Sequence, residues 1–440
     1  MTYRLFNAAR VSLAAVVVFL IWAATCHATE ISSAQARTAV GNWLRREAAP
    51  LEAKLGGAAL DAVTYRSSGG DSLFHVVPLE GGGFVVTSAD DGIQPVIAFS
   101  EGSNLVANAD NPLWALLNKD LSQRRDALIV RRAASGSASV AMASAQQSTQ
   151  NSPEAEWAAL LGASPVASQS QSPMSDVSAQ SQSSISDVRV SPLVQSHWGQ
   201  STVEGIGGDY SCYNYYTPPY ANGTSSNYPC GCVATAMAQI MRYHRYPTAS
   251  VSARTFNCSV GGVSRDLTML GGYYDWSNMM LTPDEGGDFA PNSTIRSAIG
   301  KLCYDAGVSV KMDYASGGSG ALSTDVPKAL TNVFDYASAY RCGGGESNIR
   351  NAILVNLDHG CPVYLGISGA GRHAVVADGY GYNSGIRYIH LNMGWIWRGN
   401  GDYQNAWYNV PTVDTAQEGT YSVLNDTAVP TFEREIDVTS

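Results

Sequence analysis

The chain has 440 residues, of which 45% are hydrophobic and only 15% are charged. This composition allows a sizeable buried core, and the length leaves room for about two or three domains. The formal net charge is −10, and no concentrated basic patch interrupts this acidic balance, which excludes a protein that grips nucleic acid.

The N-terminus predicts a secretory signal peptide over residues 1–28. Arg4 and Arg10 precede the apolar run "VSLAAVVVFLIWAA", and the small-residue stretch "TCHA" supplies a cleavage point after Ala28. A membrane anchor is the alternative, but the run is shorter than the roughly 20 residues of a spanning helix. A lipoprotein site at Cys26 fits poorly with Thr25 before it. We expect a secreted or periplasmic/extracellular protein without stable membrane insertion after signal removal.

Four further segments differ in composition. Residues 29–132 predict a small α+β domain, with helices in "ISSAQARTAVGNWLRREA" and "NPLWALLNKDLSQRRDALIVRR" and three strands in "SLFHVVPLEGGGFVVTSADDGIQPVIAFSEG". Residues 133–189 are rich in Ala, Ser and Gln and predict a flexible linker, with one short helical turn around Trp157. Residues 190–426 mix strand-like and helix-like segments in one domain, and residues 427–440 form a C-terminal tail.

Seven cysteines follow the signal peptide, and this odd number leaves at least one thiol over or paired between chains. Cys230 and Cys232 stand one residue apart, without the gap of a zinc knuckle and without a second Cys/His pair at finger spacing, so we expect no metal. A bridge between these two would be strained. Cys230 is therefore expected to pair elsewhere, and Cys212 is a candidate partner.

The segment "CVATAMAQIMRYH" predicts a helix that begins at Cys232 and ends before Pro247. Its apolar residues fall on one stripe, and Gly231 allows a sharp turn before it. Cys232 lies off that stripe in the first turn, where unpaired N–H groups and the helix dipole favour a thiolate and lower the thiol pKa. The alternative is a cysteine that is merely packed or bridged.

A cysteine nucleophile needs an imidazole and a group that orients it. The strand-like segments "HAVVADGY" and "IRYIHLNMGW" are joined by the turn "GYNSG". A hairpin centred on Tyr382 and Asn383 would place His373 beside Asn392, whose carboxamide could accept from one ring nitrogen. A histidine satisfied within a sheet is the alternative for His373, and His390 is a second candidate for the imidazole.

An acyl transfer also needs donors for the developing oxyanion. The backbone N–H of Cys232 is one, and the side chain of Gln200 in "HWGQS" is available as another.

With Gln, Cys, His and Asn in this order, the sequence resembles the papain-like cysteine peptidases and, more closely, the streptopain family of secreted bacterial proteases. The segments that carry the resemblance are "GCVATAMAQIMRYHRYP", "GRHAVVADGY", "YIHLNMGWIWRGNGDY", "SPLVQSHWGQ" and "MDYASGGSGALSTDVPKAL". The resemblance implies a papain-like two-lobed α+β domain over residues 190–426, preceded by an inhibitory propeptide domain. It also implies protein or peptide substrates and no cofactor.

By the same resemblance, the catalytic residues are Cys232 as nucleophile, His373 as general base and acid, Gln200 as oxyanion donor and Asn392 as imidazole orienter. Gly320, Arg372 and Trp395 would be the substrate-binding residues of the cleft. One departure is Met393, because the family usually has Trp at this position, where its ring shields the His–Asn contact from water.

The implied function is that of a secreted cysteine endopeptidase, made as a zymogen and released by a cut in the linker near Arg189. It would act through a Cys–His thiolate–imidazolium pair and a thioester acyl-enzyme. The alternative is a catalytically impaired peptidase-like fold used for adhesion or ligand binding, with Met393 as its sign. Labelling with a thiol probe would distinguish a reactive Cys232 from a bridged one.

Overall fold

The computed structural model describes residues 29–102, 104–135, 152–162, 186–220, 223–284, 290–342, 346–368, 372–397, 402–409 and 424–431. The predicted signal peptide over residues 1–28 lies outside the described residues. So do most of the predicted linker and residues 432–440 of the predicted tail.

The described residues form helices and strands in a mixed order along the chain. The helices are α1 (Ser33–Arg46), α2 (Pro112–Ser135), α3 (Pro153–Leu160), α4 (Cys232–His244), α5 (Ser293–Ser309), α6 (Val326–Asn332) and α7 (Glu346–Asp358). The strands of the N-terminal half are β1 (Val63–Arg66), β2 (Ser72–Pro78), β3 (Phe84–Ser88), β4 (Val96–Ser100), β5 (Ser186–Val190), β6 (Thr202–Gly205) and β7 (Gly208–Ser211). Those of the C-terminal half are β8 (Thr255–Val260), β9 (Val263–Thr268), β10 (Asp313–Tyr314), β11 (Ser338–Cys342), β12 (Val363–Ser368), β13 (Arg372–Asn383), β14 (Ile386–Asn392), β15 (Ile396–Trp397), β16 (Asp402–Tyr403), β17 (Ala406–Tyr408) and β18 (Leu424–Thr431).

One sheet runs through both the first domain and the second. Its strand order is β1-β2-β3-β4-β17-β14-β13-β12-β18-β11, and β5 pairs with β13 beside this path. The two domains meet where β4 pairs antiparallel with β17, which sets Phe99 opposite Trp407 and Ala98 opposite Tyr408. The first domain is therefore joined to the second by main-chain hydrogen bonds as well as by side-chain packing.

The second domain has a helical part and a sheet part, each with its own buried core. The helical core gathers apolar residues of α4, α5 and α6, including Val233, Met237 and Leu302. The sheet core lies between the central strands and the helices α2 and α7. Helix α4 lies between the two parts, and this mixed architecture confirms the predicted α+β class.

The predicted elements of the first domain are present. Ser32 caps α1 in a capping box with Gln35, which satisfies free N–H groups of the first turn. The three predicted strands correspond to β2, β3 and β4, and β1 adds a fourth strand beside β2. The helical turn predicted around Trp157 is helix α3.

Two strands cross the boundaries that composition suggested. Strand β5, at the end of the predicted linker, pairs with β13, so the strands of the peptidase part of the sheet already begin at Ser186. Strand β18 runs to Thr431, beyond residue 426, because it pairs with β11 and β12. Main-chain pairing leaves little trace in composition, which is why these limits differ.

The predicted register of the β13–β14 hairpin is wrong. The turn lies at Ser384 and Gly385, which both have the positive φ that a two-residue hairpin turn requires. A further register shift between Ala377 and Gly379 leaves Asn392 opposite Val376 rather than His373.

Candidate active site

The nucleophile candidate Cys232 is the first residue of α4, as predicted, and the turn before it requires glycine. Gly231 has φ +90°, and a Cβ at this position would come within 2.7 Å of the carbonyl oxygen of Ser319. The Gly/Ser loop that contains Gly320 therefore lies directly against the start of the helix. Gly320 is held there by paired backbone hydrogen bonds with Asp313.

The structure brings Cys232 to the beginning of β13. The sulfur accepts a hydrogen bond from the backbone N–H of Ala374, the residue after His373. His373 is partly buried and pairs with Ile367 across the β12–β13 ladder. A thiol and an imidazole thus lie at the same corner of the domain, where α4 meets the sheet.

Burial shifts both groups toward their neutral forms. It raises the pKa of the Cys232 thiol, and the N–H groups of Ala374, Val233 and Cys232 itself offset this only in part. Burial also lowers the pKa of His373, against the opposing charge of Asp110 from the first domain. The predicted lowering of the Cys232 pKa is therefore wrong for this form of the chain, because desolvation outweighs the helix-start N–H groups.

Gln200 lies between the nucleophile turn and the loop after β14. Its backbone carbonyl accepts from the N–H of Cys230 at 2.8 Å, which ties Gln200 to the turn just before Cys232. Its side-chain amide donates to the carbonyl of Gly394 at 3.3 Å. A side-chain donor is thus anchored beside the start of α4.

Asn392 is bonded to groups other than His373. Its carboxamide oxygen accepts from Gln239 Nε2 at 3.0 Å and from the N–H of Gly394 at 3.2 Å, and its Nδ2 donates to the carbonyl of Ser196 at 2.7 Å. Both oxygen lone pairs are therefore engaged. The hairpin register sets Asn392 opposite Val376, and the orientation of His373 by Asn392 stays a prediction.

Gln239 is the functional residue that the sequence reasoning missed. It is fully buried on α4, and its side-chain oxygen accepts from Ser196 Oγ at 3.0 Å and from the N–H of Trp198 at 3.3 Å. It thus ties the nucleophile helix to the segment before Gln200 and to Asn392. A lone amide inside the apolar run "CVATAMAQIM" was the signal that could have revealed it.

His390, the second candidate for the catalytic imidazole, is held by contacts that support the fold. Its Nδ1 pairs with Asp378 Oδ1 at 2.7 Å, and Asp378 is fully buried and also accepts from the N–H of Val194 at 3.0 Å. The imidazole ring packs edge-on against Trp407 at the junction of the two domains. The position deeper in the hairpin therefore separates His390 from Cys232.

The remaining expected residues lie around this corner. Arg372 is exposed at the first position of β13, and Trp395 is partly buried just after Gly394. Met393 is fully buried in the sheet core, and its N–H donates to Asn405 Oδ1 at 3.0 Å. The shielding of a His–Asn contact by Met393 stays a prediction.

The sequence suggested a bridge between Cys230 and Cys212, but both residues are free thiols in the structure. Cys212, Cys230 and Cys303 are fully buried together beside α4, and a hydrogen bond links Cys303 to Cys230. Burial raises the pKa of Cys212 and of Cys303, so these thiols are unreactive. Across the described ranges, no group of three or more His, Cys, Asp or Glu side chains is arranged to hold a metal ion.

Comparison with known families matches both halves of the chain. Residues 208–408 match the Peptidase C10 family, and residues 28–124 match the Spi protease inhibitor family. None of the helices in the described ranges has the length and apolar character needed to span a membrane.

Similar proteins include two curated bacterial proteases. Streptopain from Streptococcus pyogenes serotype M1 is 32% identical over 176 residues, which cover 38% of this chain and 42% of streptopain. The thiol protease/hemagglutinin PrtT from Porphyromonas gingivalis is 30% identical over 208 residues, which cover 45% of this chain and 23% of PrtT. The chain therefore spans less than half the length of the curated relatives that it matches.

A fragment of prointerpain A from Prevotella intermedia shares the fold. It aligns with a TM-score of 0.54 at 22% identity, covering 85% of this chain and 99% of the fragment. This likeness includes the first domain as well as the second, and it confirms the papain-like arrangement with an N-terminal propeptide domain.

Proposed function

We propose that the chain is a secreted cysteine endopeptidase made as a zymogen, because residues 208–408 match the Peptidase C10 family and residues 28–124 match the Spi protease inhibitor family. The observation that carries this proposal is the contact of the Cys232 sulfur with the N–H of Ala374, next to His373. It supports a nucleophile and a base that act at one corner of the second domain.

In the proposed mechanism, His373 takes the proton of Cys232, and the thiolate attacks a peptide carbonyl. The backbone N–H of Cys232 and the side-chain amide of Gln200 stabilise the oxyanion, for which the amide leaves the carbonyl of Gly394. His373 then protonates the leaving amine, and water hydrolyses the thioester. Asn392 contributes by fixing the loop at Gly394 through its bond to Gln239.

The substrates of this chemistry are proteins or peptides, bound in the cleft between the helical part and the sheet part. The loop of Gly320 lies against Gly231, just before Cys232, and Arg372 begins the strand whose Ala374 contacts the Cys232 sulfur. Trp395 follows Gly394, which accepts from the side chain of Gln200. Backbone groups of these residues are the proposed substrate contacts. No cofactor takes part in the mechanism.

Latency follows from the first domain. Asp110 of that domain lies close enough to act electrostatically on His373, and β4 is paired to β17 of the peptidase domain. Arg189 belongs to β5 and pairs with Asp187, so a maturation cut is better placed upstream of β5 than at the site that the sequence suggested. Export through the N-terminal 28 residues would deliver the zymogen.

The decisive test replaces Cys232. Cys232→Ala should abolish the hydrolysis of casein and of the chain's own linker, while the circular dichroism spectrum stays that of the parent. Cys258→Ala is a matched control, because Cys258 lies in the separate β8–β10 sheet. A Cys232→Ala protein that remained fully active would contradict the proposal.

A further inference from the structure

Helix α3 is an ordered piece of the chain between two Ala/Ser/Gln-rich tracts. It begins at the N-cap Ser152, whose side chain accepts from the N–H of Ala155, and it spans only eight residues. An isolated helix of this length is not stable in water. Its order must therefore come from the surface on which it lies.

That surface belongs mainly to the first domain. Trp157 is 2% exposed, and its indole N–H donates to the carbonyl of Ile93 at 3.0 Å. At the other end of α3, Asn42 donates to the carbonyl of Leu160 at 2.5 Å and Arg46 donates to that of Ala159 at 2.7 Å. Side chains of α1 thus satisfy carbonyls that a helix C-terminus leaves unpaired.

The same surface reaches the peptidase domain. Trp157 and Leu160 share a buried cluster with Phe99 of β4 and with Tyr388 and Trp407 of the peptidase strands. This is the place where β4 pairs with β17. Helix α3 therefore covers the junction through which the two domains are joined.

We propose that α3 is an intramolecular latch, which docks across the junction of the first domain with the peptidase domain and must undock before the first domain can leave. The regulatory meaning of this latch rests on the proposed zymogen function, but its docking does not. The linker then has two roles, since its flanking tracts offer cleavage sites and its central helix holds the domains together.

One carboxyl group makes the latch sensitive to pH. Glu156 belongs to α3 and is mostly buried, and burial raises its pKa to about 7, with Arg46 of α1 opposing. On the β14 side it faces Tyr388, whose own pKa is raised by burial so that it stays neutral. On the β4 side, the cluster presents the apolar Val96 and Phe99.

The direction of the effect follows from linkage. An undocked Glu156 ionises at about pH 4.5, whereas the docked one ionises at about pH 7. Docking is thus strongest below pH 4.5, weakens as the pH rises toward 7, and is constant above that. This difference in pKa corresponds to about a 300-fold change in the docking equilibrium constant from well below pH 4.5 to well above pH 7.

The test uses the full chain with Cys232→Ala, so that the chain's own activity plays no part. Hydrogen exchange of residues 153–160, expressed as protection factors, should fall about 80-fold between pH 4.5 and pH 7 in this parent, because each of these two pH values is the midpoint of one titration. Glu156→Gln should remove that dependence, whereas Glu154→Gln, an exposed carboxyl on the same helix, should keep it. Identical pH profiles for Glu156→Gln and the parent would overturn the pH-sensitive part of the proposal.

Release of the first domain is tested by cutting the linker with elastase, which cleaves after small residues, and then by gel filtration. Trp157→Ala removes the buried anchor and should lower the protection of α3 by about a hundredfold or more. The first domain should then separate from the peptidase domain at pH 5, where the cut parent stays together. If cut Trp157→Ala and cut parent separated equally, α3 would not be a latch, and the proposed peptidase activity would be unaffected by that result.

Discussion

Replacement of Gln239 by leucine tests whether one buried amide holds the parts of the candidate site together. Leucine has a similar volume but cannot hydrogen-bond, so Ser196 Oγ and the N–H of Trp198 would lose the acceptor that they share. Asn392 Oδ1 would lose one donor and keep the N–H of Gly394. Three fully or almost fully buried polar groups would thus be affected by one substitution.

The expected cost comes mainly from the two groups that lose their acceptor. Leaving a buried donor without a partner costs about 1–3 kcal/mol, so Gln239→Leu should lower the free energy of unfolding by about 2–4 kcal/mol after some relaxation. The segment before Gln200 would also lose its tie to α4, so kcat/KM should fall while KM changes little, because the affected groups support the oxyanion rather than the bound ground state.

Urea unfolding in the Cys232→Ala background gives the first quantity, and peptide hydrolysis by the processed enzyme gives the second. Gln195→Leu is the matched control, because it makes the same chemical change at an exposed position of the same segment. If Gln239→Leu unfolded at the same urea concentration as Gln195→Leu and kept the parent kcat/KM, the positioning argument would be refuted.

Two other predictions concern the latent form. Because burial raises the pKa of Cys232 in the intact chain, this thiol should react slowly with iodoacetamide, and the reaction rate should increase at higher pH than for an ordinary cysteine. Removal of the first domain should shift this increase in rate to lower pH. An unchanged pH profile would show that the first domain does not cause the raised pKa. Arg124→Met should destabilise the intact chain by about 3 kcal/mol in urea unfolding, because among the described residues the fully buried Asp120 side chain would keep only the Tyr408 hydroxyl. A loss below about 0.5 kcal/mol would contradict this prediction.

Local patterns in the sequence predicted the parts of the fold that local physics determines. Helix α4 begins at Cys232 and ends at His244 as expected, because glycine, an apolar stripe and a following proline each act within a few residues. Helix α3 was also visible as a turn around Trp157, since a tryptophan in an Ala/Ser/Gln tract is a rare apolar anchor. These features need no knowledge of distant partners.

The predictions that were wrong concern features that depend on residues far apart in the chain. The hairpin register depends on a turn at Ser384 and Gly385 and on an irregularity near Asp378, and a displacement of a few residues was enough to set Asn392 opposite Val376 instead of His373. The pKa of Cys232 depends on what covers it, which the helix-start argument alone could not include. Likewise, the pairing of β4 with β17 joins segments that are far apart in the chain.

The proposed latency has an electrostatic basis. Desolvation disfavours charge of either sign, so the same covering raises the pKa of the thiol and lowers that of the imidazole. A thiolate–imidazolium pair requires the opposite order, in which the imidazole is the stronger base, and each pKa unit of separation changes the pair equilibrium about tenfold. Removing the first domain takes away the Asp110 charge that favours imidazolium, so activation requires that this removal also return water to the thiol and the imidazole. Activation therefore depends on rehydration outweighing the loss of that charge, which is the expected balance because burial is the larger influence on both pKa values in the intact chain.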